Sequence, residues 1–326
     1  MNNKPIKETK VPKVIMPVYN NVILLGKLLC ISTILLINNN CQSQSISDMT
    51  HFEKAQKIQQ KILRGDLEVG ILNPKEIETM VTLYTKAKDA KSWYELGMIY
   101  YKGIGVEQDA EKAVYFFELA ATSGYGIDAW IKYIKIAYFA KLDSIPPGKI
   151  IKLIEQLKDK DPTGEIYLLK GYMLYMGYVY EDNEKVSYLM HQKSAEKGNA
   201  EAMFELFIYY SQGIGVEVNL EKAIEWCRKA SEHNNPRAMY NLGAYYATGY
   251  QSIPVDIQKT ISFYTKAANL GHGKAAGQLA AMYVTGEEVD KDDTLAKKFY
   301  LLALENGYEV DFLFEDLGLK TINIDD

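Results

Sequence analysis

Along most of this chain apolar and polar residues alternate with the period of a helix, and the breaks between periodic stretches recur. Ser92, Leu96 and Tyr100 stand at i, i+4 and i+8, a stripe that predicts a helix burying one face. Gly97 lies beside that stripe, where a missing Cβ lets a partner helix approach closely, and Gly103 and Gly105 supply the turn that stops it. A second helix opens at Asp109, a good N-cap type, and continues from Glu111 through Ala121 until Gly124 closes it. Ala113 and Ala120 fall seven apart on one face of that helix, as do Ala223 and Ala230, then Ala296 and Ala303. The pattern predicts an all-α chain built of helix pairs.

The pairs repeat. The run from Trp93 to Val106 returns from Met203 to Val216, and again from Met239 to Gly243 with Tyr246 and Gly249. Weaker copies carry Leu279, Ala280, Tyr283 and Gly286, or Gly171 and Gly177. Gly97, Gly171, Phe207, Gly243 and Ala280 mark one equivalent position, at spacings of 74, 36, 36 and 37. The first spacing is twice the unit length. A degenerate unit is therefore expected near Ile134, where Asp128, Ala129 and Trp130 match Glu201, Ala202 and Met203. Six units then occupy 90–307, the second one degenerate. Two departures have expected consequences: Phe207, in place of the packing glycine, should push its helix pair slightly apart, and the junction of the degenerate unit at 144–148 should be the longest or most irregular turn.

Trp93, Leu96, Gly97 and Tyr100, followed by Ala113 and Phe117, fit the tetratricopeptide template, with a period of 36 to 37 whose surplus falls in the loop before Asp109. Together with Ala200, Glu201 and Ala202, and with Glu221, Lys222 and Ala223, this resembles the Sel-one-like repeat (SLR) family, longer-looped relatives of tetratricopeptide repeats. The resemblance covers about two-thirds of the chain. It implies a right-handed α–α superhelix (a solenoid) whose first helices line the concave face, and a role in holding other proteins. An end unit would otherwise expose its stacking face, so caps are expected. Residues 41–89 read as a linker and N-terminal helical cap, with helices over 47–64 and 74–88. Residues 308–326 read as a C-terminal cap, with a short helix over 312–317, and an acidic tail. In all, about thirteen to fifteen helices are expected.

Residues 1–40 differ from everything after them. They carry a charge of +4, which leaves −9 on the rest of a chain whose net charge is −5. From Leu28 to Ile37 runs a mostly apolar segment, long enough for the core of a secretory signal peptide and too short to span a bilayer. Residues 1–40 are expected to be a signal peptide or N-terminal anchor, with Met16 an alternative start. Cys41 follows where bacterial lipoproteins carry their lipidated cysteine, although three asparagines precede it in place of the usual small residues. Export to the periplasm, or anchoring at the membrane through lipid on Cys41, is the expectation.

Charge and composition narrow the function. A net charge of −5 and a pI near 5.6 for the whole chain argue against the basic face of a nucleic-acid binder. His51, His191, His233 and His272 fall in unrelated registers, and Cys227 reads as a small buried side chain, so neither a metal, a cofactor nor a catalytic residue is expected. Gly103 and Gly105, like Gly213 and Gly215, lack the strand that precedes a nucleotide-binding glycine loop.

What remains is a surface. In the expected register the concave face carries Tyr94, Met98 and Tyr101, then Tyr172 and Tyr175, Phe204 and Ile208, and Tyr240. These are the candidate partner-binding residues, since an exposed apolar patch marks an interaction site. The functional expectation is a non-catalytic scaffold binding a protein or peptide, with no nucleic acid and no membrane contact beyond the N-terminal anchor. Two alternatives follow from the resemblance: an immunity protein neutralising a secreted toxin in the periplasm and, more distantly, a β-lactamase-type hydrolase, for which the sequence lacks the serine and lysine motif.

Overall fold

A computed structural model of the chain describes residues 50–64, 74–177 and 183–309. They form α1 (His51–Arg64), α2 (Pro74–Ala87), α3 (Ala90–Lys102), α4 (Ala110–Thr122), α5 (Ile127–Phe139), α6 (Pro147–Leu157) and α7 (Glu165–Met176). Then come α8 (Glu184–Glu196), α9 (Ala200–Gln212), α10 (Leu220–Glu232), α11 (Pro236–Thr248), α12 (Ile257–Asn269), α13 (Gly273–Thr285) and α14 (Asp293–Glu305). Among the described residues, extended pairing is confined to one isolated bridge between Tyr250 and Ile253. Each helix packs chiefly on its neighbours in sequence, the contact pattern of a solenoid. The cap expected over 312–317 lies outside the described residues.

Local chemistry sets the boundaries. Asp109, Asn219, Asp256 and Asp292 each accept a hydrogen bond from the backbone N–H three residues on, at 2.9–3.0 Å, capping the second helix of a pair. The same four residues donate their own N–H back to the carbonyls of Tyr100, Tyr210, Tyr246 and Tyr283, at 2.8–3.0 Å, which closes the turn. Pro146 stands at that place in the degenerate unit and has no N–H to give. The Ala137 carbonyl accepts from Leu142 instead, and Lys141 adopts a positive φ of 50°. The turn is thus irregular but not long: it spans 140–146, as many residues as 103–109 and 213–219, and the longest described turn is 249–256, which holds the bridge.

Where two helices of a pair cross, side chains at equivalent positions share one space. The six facing pairs are Gly97 and Phe117, Ile134 and Ile154, Gly171 and His191, Phe207 and Cys227, Gly243 and Tyr264, and Ala280 and Tyr300. A Cβ added at Gly97 would lie 2.9 Å from the Phe117 ring, one at Gly243 2.5 Å from Tyr264, and one at Gly171 2.5 Å from His191. Phe207 reverses the arrangement: the ring stands on the first helix and the equivalent place on the second holds a small cysteine, both buried in one cluster. The α9–α10 pair consequently meets as extensively as α3–α4 or α11–α12. This corrects the expectation that Phe207 holds its helices apart: the large side chain changed sides without enlarging the pair. The α5–α6 pair is the loose one, with branched Ile134 and Ile154 on both sides and far fewer contacts than the other pairs.

The N-terminal pair α1–α2 packs against the first unit. Ala55, Met80 and Tyr84 join Leu96 and Ile99 in one cluster, and the Tyr84 hydroxyl donates to Gln59 Oε1 inside it.

Candidate partner-binding face

The first helices of the units, α3, α5, α7, α9, α11 and α13, present side chains three before, one after and four after the crossing position. The structure splits these rows. Three before, every large side chain is part of the packing. Tyr94 lies flat on Tyr125 at 4.1 Å and edge-on to Phe117 at 5.2 Å, and burial pushes its hydroxyl up to about 12. Tyr240 stacks on His272 at 4.6 Å and on Tyr264 at 5.4 Å. Phe204 is 4% exposed, under the Arg237 guanidinium at 4.2 Å.

Tyr172, one after the crossing, is also inside at 8% exposure, and its hydroxyl donates to Glu205 Oε1 at 3.1 Å. Tyr172 and Phe204 are therefore corrections to the surface read from the sequence. Both are held by Arg237 and Glu205, whose polar groups let aromatic side chains sink between first helices. Met98, Tyr101 and Ile208 are half-buried, and Tyr175 is exposed.

Two residues of this face escaped the sequence reading. Phe139 and Met176 are both exposed, Met176 to 60%, and each follows directly on Tyr138 or Tyr175. They stand five after the crossing, at the last residue of α5 and of α7. With Tyr101 they form an apolar edge along three consecutive units. The equivalents in the next units are Ser211 and Gln212, then Ala247 and Thr248. The signal lay in the last helical turn, where an apolar residue directly follows the aromatic of the row.

A polar row runs beside the apolar one. The Arg237 Nη1 pairs with Glu201 and, at 3.3 Å, with Glu205. Burial pushes Glu205 up to about 7, against the opposing pull of Arg237. Lys135 pairs with Glu165 Oε1 at 2.8 Å, and Asn199 Nδ2 donates to Glu165 Oε2 at 3.2 Å. Gln59 Nε2 donates to Glu95 at 3.0 Å. Lys132, by contrast, is held below its ordinary range by burial and by the charges of Lys135 and Lys102.

Elsewhere, Cys227 is fully buried and burial pushes its thiol up to about 12, which keeps it protonated. His191 is enclosed by the Tyr172 and Tyr209 rings, each at 5.2 Å, and burial holds it neutral, down to about 3. Among the described residues no group of three His, Cys, Asp or Glu side chains is placed to hold a metal ion, and no helix is long and apolar enough to cross a membrane. The apolar segment 28–37 and Cys41 lie outside the described residues.

The face is assembled from stacked repeats, and known proteins share them. A solved Sel1 repeat protein from Oxalobacter formigenes is 20% identical, with a TM-score of 0.56 over 77% of this chain and 99% of that one. A protective antigen of uropathogenic Escherichia coli displaying an SLR fold is 23% identical over 81% of this chain and 56% of its own, at a TM-score of 0.47. The immunity protein Pa5087 of Pseudomonas aeruginosa is 20% identical over 79% and 84%, at 0.40. The model of the Sel1 repeat matches residues 90–125, 171–199, 200–235, 236–272 and 273–308, leaving the degenerate pair α5–α6 between the first two matches. More than half of the chain is covered by those five matches, and it belongs to the Sel1 repeat family.

Proposed function

We propose that this chain is a non-catalytic scaffold that holds a protein or peptide on the concave face of its first three units. The observation that carries the reading is the apolar edge of half-buried Tyr101 and exposed Phe139, Tyr175 and Met176, four or five residues after the crossing in three successive units and replaced by small or polar residues in the next two. Phe139, Tyr175 and Met176 are exposed at the ends of their helices, and grouped apolar exposure of this kind is a mark of protein interfaces. The test is capture from the periplasmic fraction by the intact chain and by a Phe139→Ser, Met176→Ser variant. Loss of the captured protein from a variant that melts normally supports the reading; undiminished capture moves the binding site to another face.

The same proposal places the chain outside the cytoplasm. The basic segment followed by the apolar run 28–37, and Cys41 just beyond it, support export and lipid anchoring. Mass spectrometry of the membrane fraction tests this, an unacylated Cys41 removing the anchor. A narrower version, an immunity protein against a secreted toxin, draws on that export and on the acidic body, and requires that the captured protein be toxic in its absence.

A further inference from the structure

Within the polar row, most buried charges are answered by neighbours on adjacent first helices. Glu95, Lys132 and Glu205 occupy the same place, two before the crossing. Gln59 meets Glu95 from α1, and Tyr172 and Arg237 meet Glu205 from both sides. The positions that serve Glu205 in this way are filled around Lys132 by Met98 and Glu165. Methionine offers no charge or acceptor of any strength. Both Glu165 oxygens are already engaged, one by Lys135 and the other by Asn199. Asp128, one turn earlier on the same helix, is exposed and acts on Lys132 only through its charge. Among the described residues no carboxylate forms an ion pair with Lys132, and the positive charges of Lys135 and Lys102 weigh on it more than the carboxylates of Glu165 and Asp128 relieve it. A half-buried ammonium without a partner is costly unless something supplies one.

We infer that Lys132, flanked by Lys102 and Lys135, receives a carboxylate of the bound protein, on an acidic residue whose apolar neighbours rest on Met98 and Tyr101. Met98 and Tyr101 pack on the α5 cluster from which Lys132 rises, so an apolar contact and a charge lie side by side. On a body carrying −9, this local excess of lysine selects an acidic segment and fixes its position along the solenoid. The inference rests on the proposed binding face and specifies its ligand.

The test is a selection of short random peptides against the full chain, followed by fluorescence polarisation of the recovered sequences. The expected result is enrichment of Asp or Glu next to an aliphatic or aromatic residue, with affinity about tenfold lower for Lys132→Met, as fits a half-buried pair. Lys132→Arg should retain most of the affinity, and raised salt should weaken it. Lys132→Met should melt no earlier than the native chain, because it removes an unanswered charge, so lost binding would not reflect lost folding. Recovered peptides without acidic enrichment, or with unchanged affinity for Lys132→Met, overturn the inference. If those peptides still lose affinity on Tyr101→Ala, the binding face stands and only the carboxylate fails; if neither variant matters, or no peptide is recovered, both fall.

Discussion

Phe207 and Cys227 offer a sharp test of how these pairs are packed. If a crossing tolerates a ring from either helix but not from both, then Phe207→Gly with Cys227→Phe should rebuild the Gly97 and Phe117 arrangement. Phe207→Gly alone removes a ring that is 8% exposed and leaves a hole against a small cysteine. Truncating a buried phenylalanine costs about 3–5 kcal/mol, and glycine inside a helix about 1 kcal/mol more. Cys227→Phe alone drives a second ring into space that Phe207 fills, and overpacking costs about 1–3 kcal/mol. Independent effects would therefore destabilise the double variant by roughly 5–9 kcal/mol. Coupled effects should leave it at least about 2–3 kcal/mol better than that sum, the upper range for contacting residues. Urea unfolding of the native chain, both single variants and the double variant gives the coupling directly. Additivity within about 0.5 kcal/mol would refute the shared-space reasoning.

Tyr172→Ala should destabilise the fold by about 3 kcal/mol or more, because a buried ring is lost and Glu205 loses a donor; Tyr101→Ala should cost about 1 kcal/mol or less. Denaturant melts separate them, and equal costs would contradict the assigned burial. His191 binds its proton more weakly folded, at about 3, than unfolded at 6.5, so its contribution is full above 6.5 and is lost as pH falls toward 3. Glu205, raised to about 7, acts in the opposite sense between 4.5 and 7, so the comparison must be with a variant. His191→Phe should gain on the native chain by about 1.4 kcal/mol per pH unit below 6.5, and a pH-independent difference would refute this. Gly215→Ala should destabilise the turn after α9 by about 1–2 kcal/mol or more, since φ is +63° and the new Cβ would meet the Glu184 carbonyl oxygen at 2.4 Å. Thermal melting checks it; an unchanged midpoint would mean that the turn can move away from α8.

The fold could be read because its rules are local. Caps at Asp109, Asn219 and Asp292, and the return of a small residue at one crossing position, are properties of contiguous residues and survive in a single sequence. The degenerate unit was placed by arithmetic on the glycine spacing, and α5 and α6 occupy that place. What could not be read was the second member of each crossing pair. Phe207 looked like a steric intrusion because its partner lies twenty residues away, on another helix. Cys227 resolves it, and only the pairing shows that a small residue there is compensation.

The binding face was harder for a related reason: its exposure depends on neighbours about thirty-five residues away. Tyr172 and Tyr175 share a helix and a residue type, yet Tyr172 is drawn inside by Glu205 on the next first helix, while Tyr175 stands at the open end of its own. Phe204 has the same history, covered by Arg237 from the unit beyond it. A periodic pattern finds the face of one helix, whereas each of these side chains is decided by a charge on another. Lys132 follows the same rule with the opposite outcome: at the place where Glu205 finds Tyr172 and Arg237, it finds Met98 and an occupied Glu165. Stability does not require that difference, because a neutral side chain at 132 would leave no charge to answer. In the inferred contact Lys132 is one half, and the other half belongs to the partner.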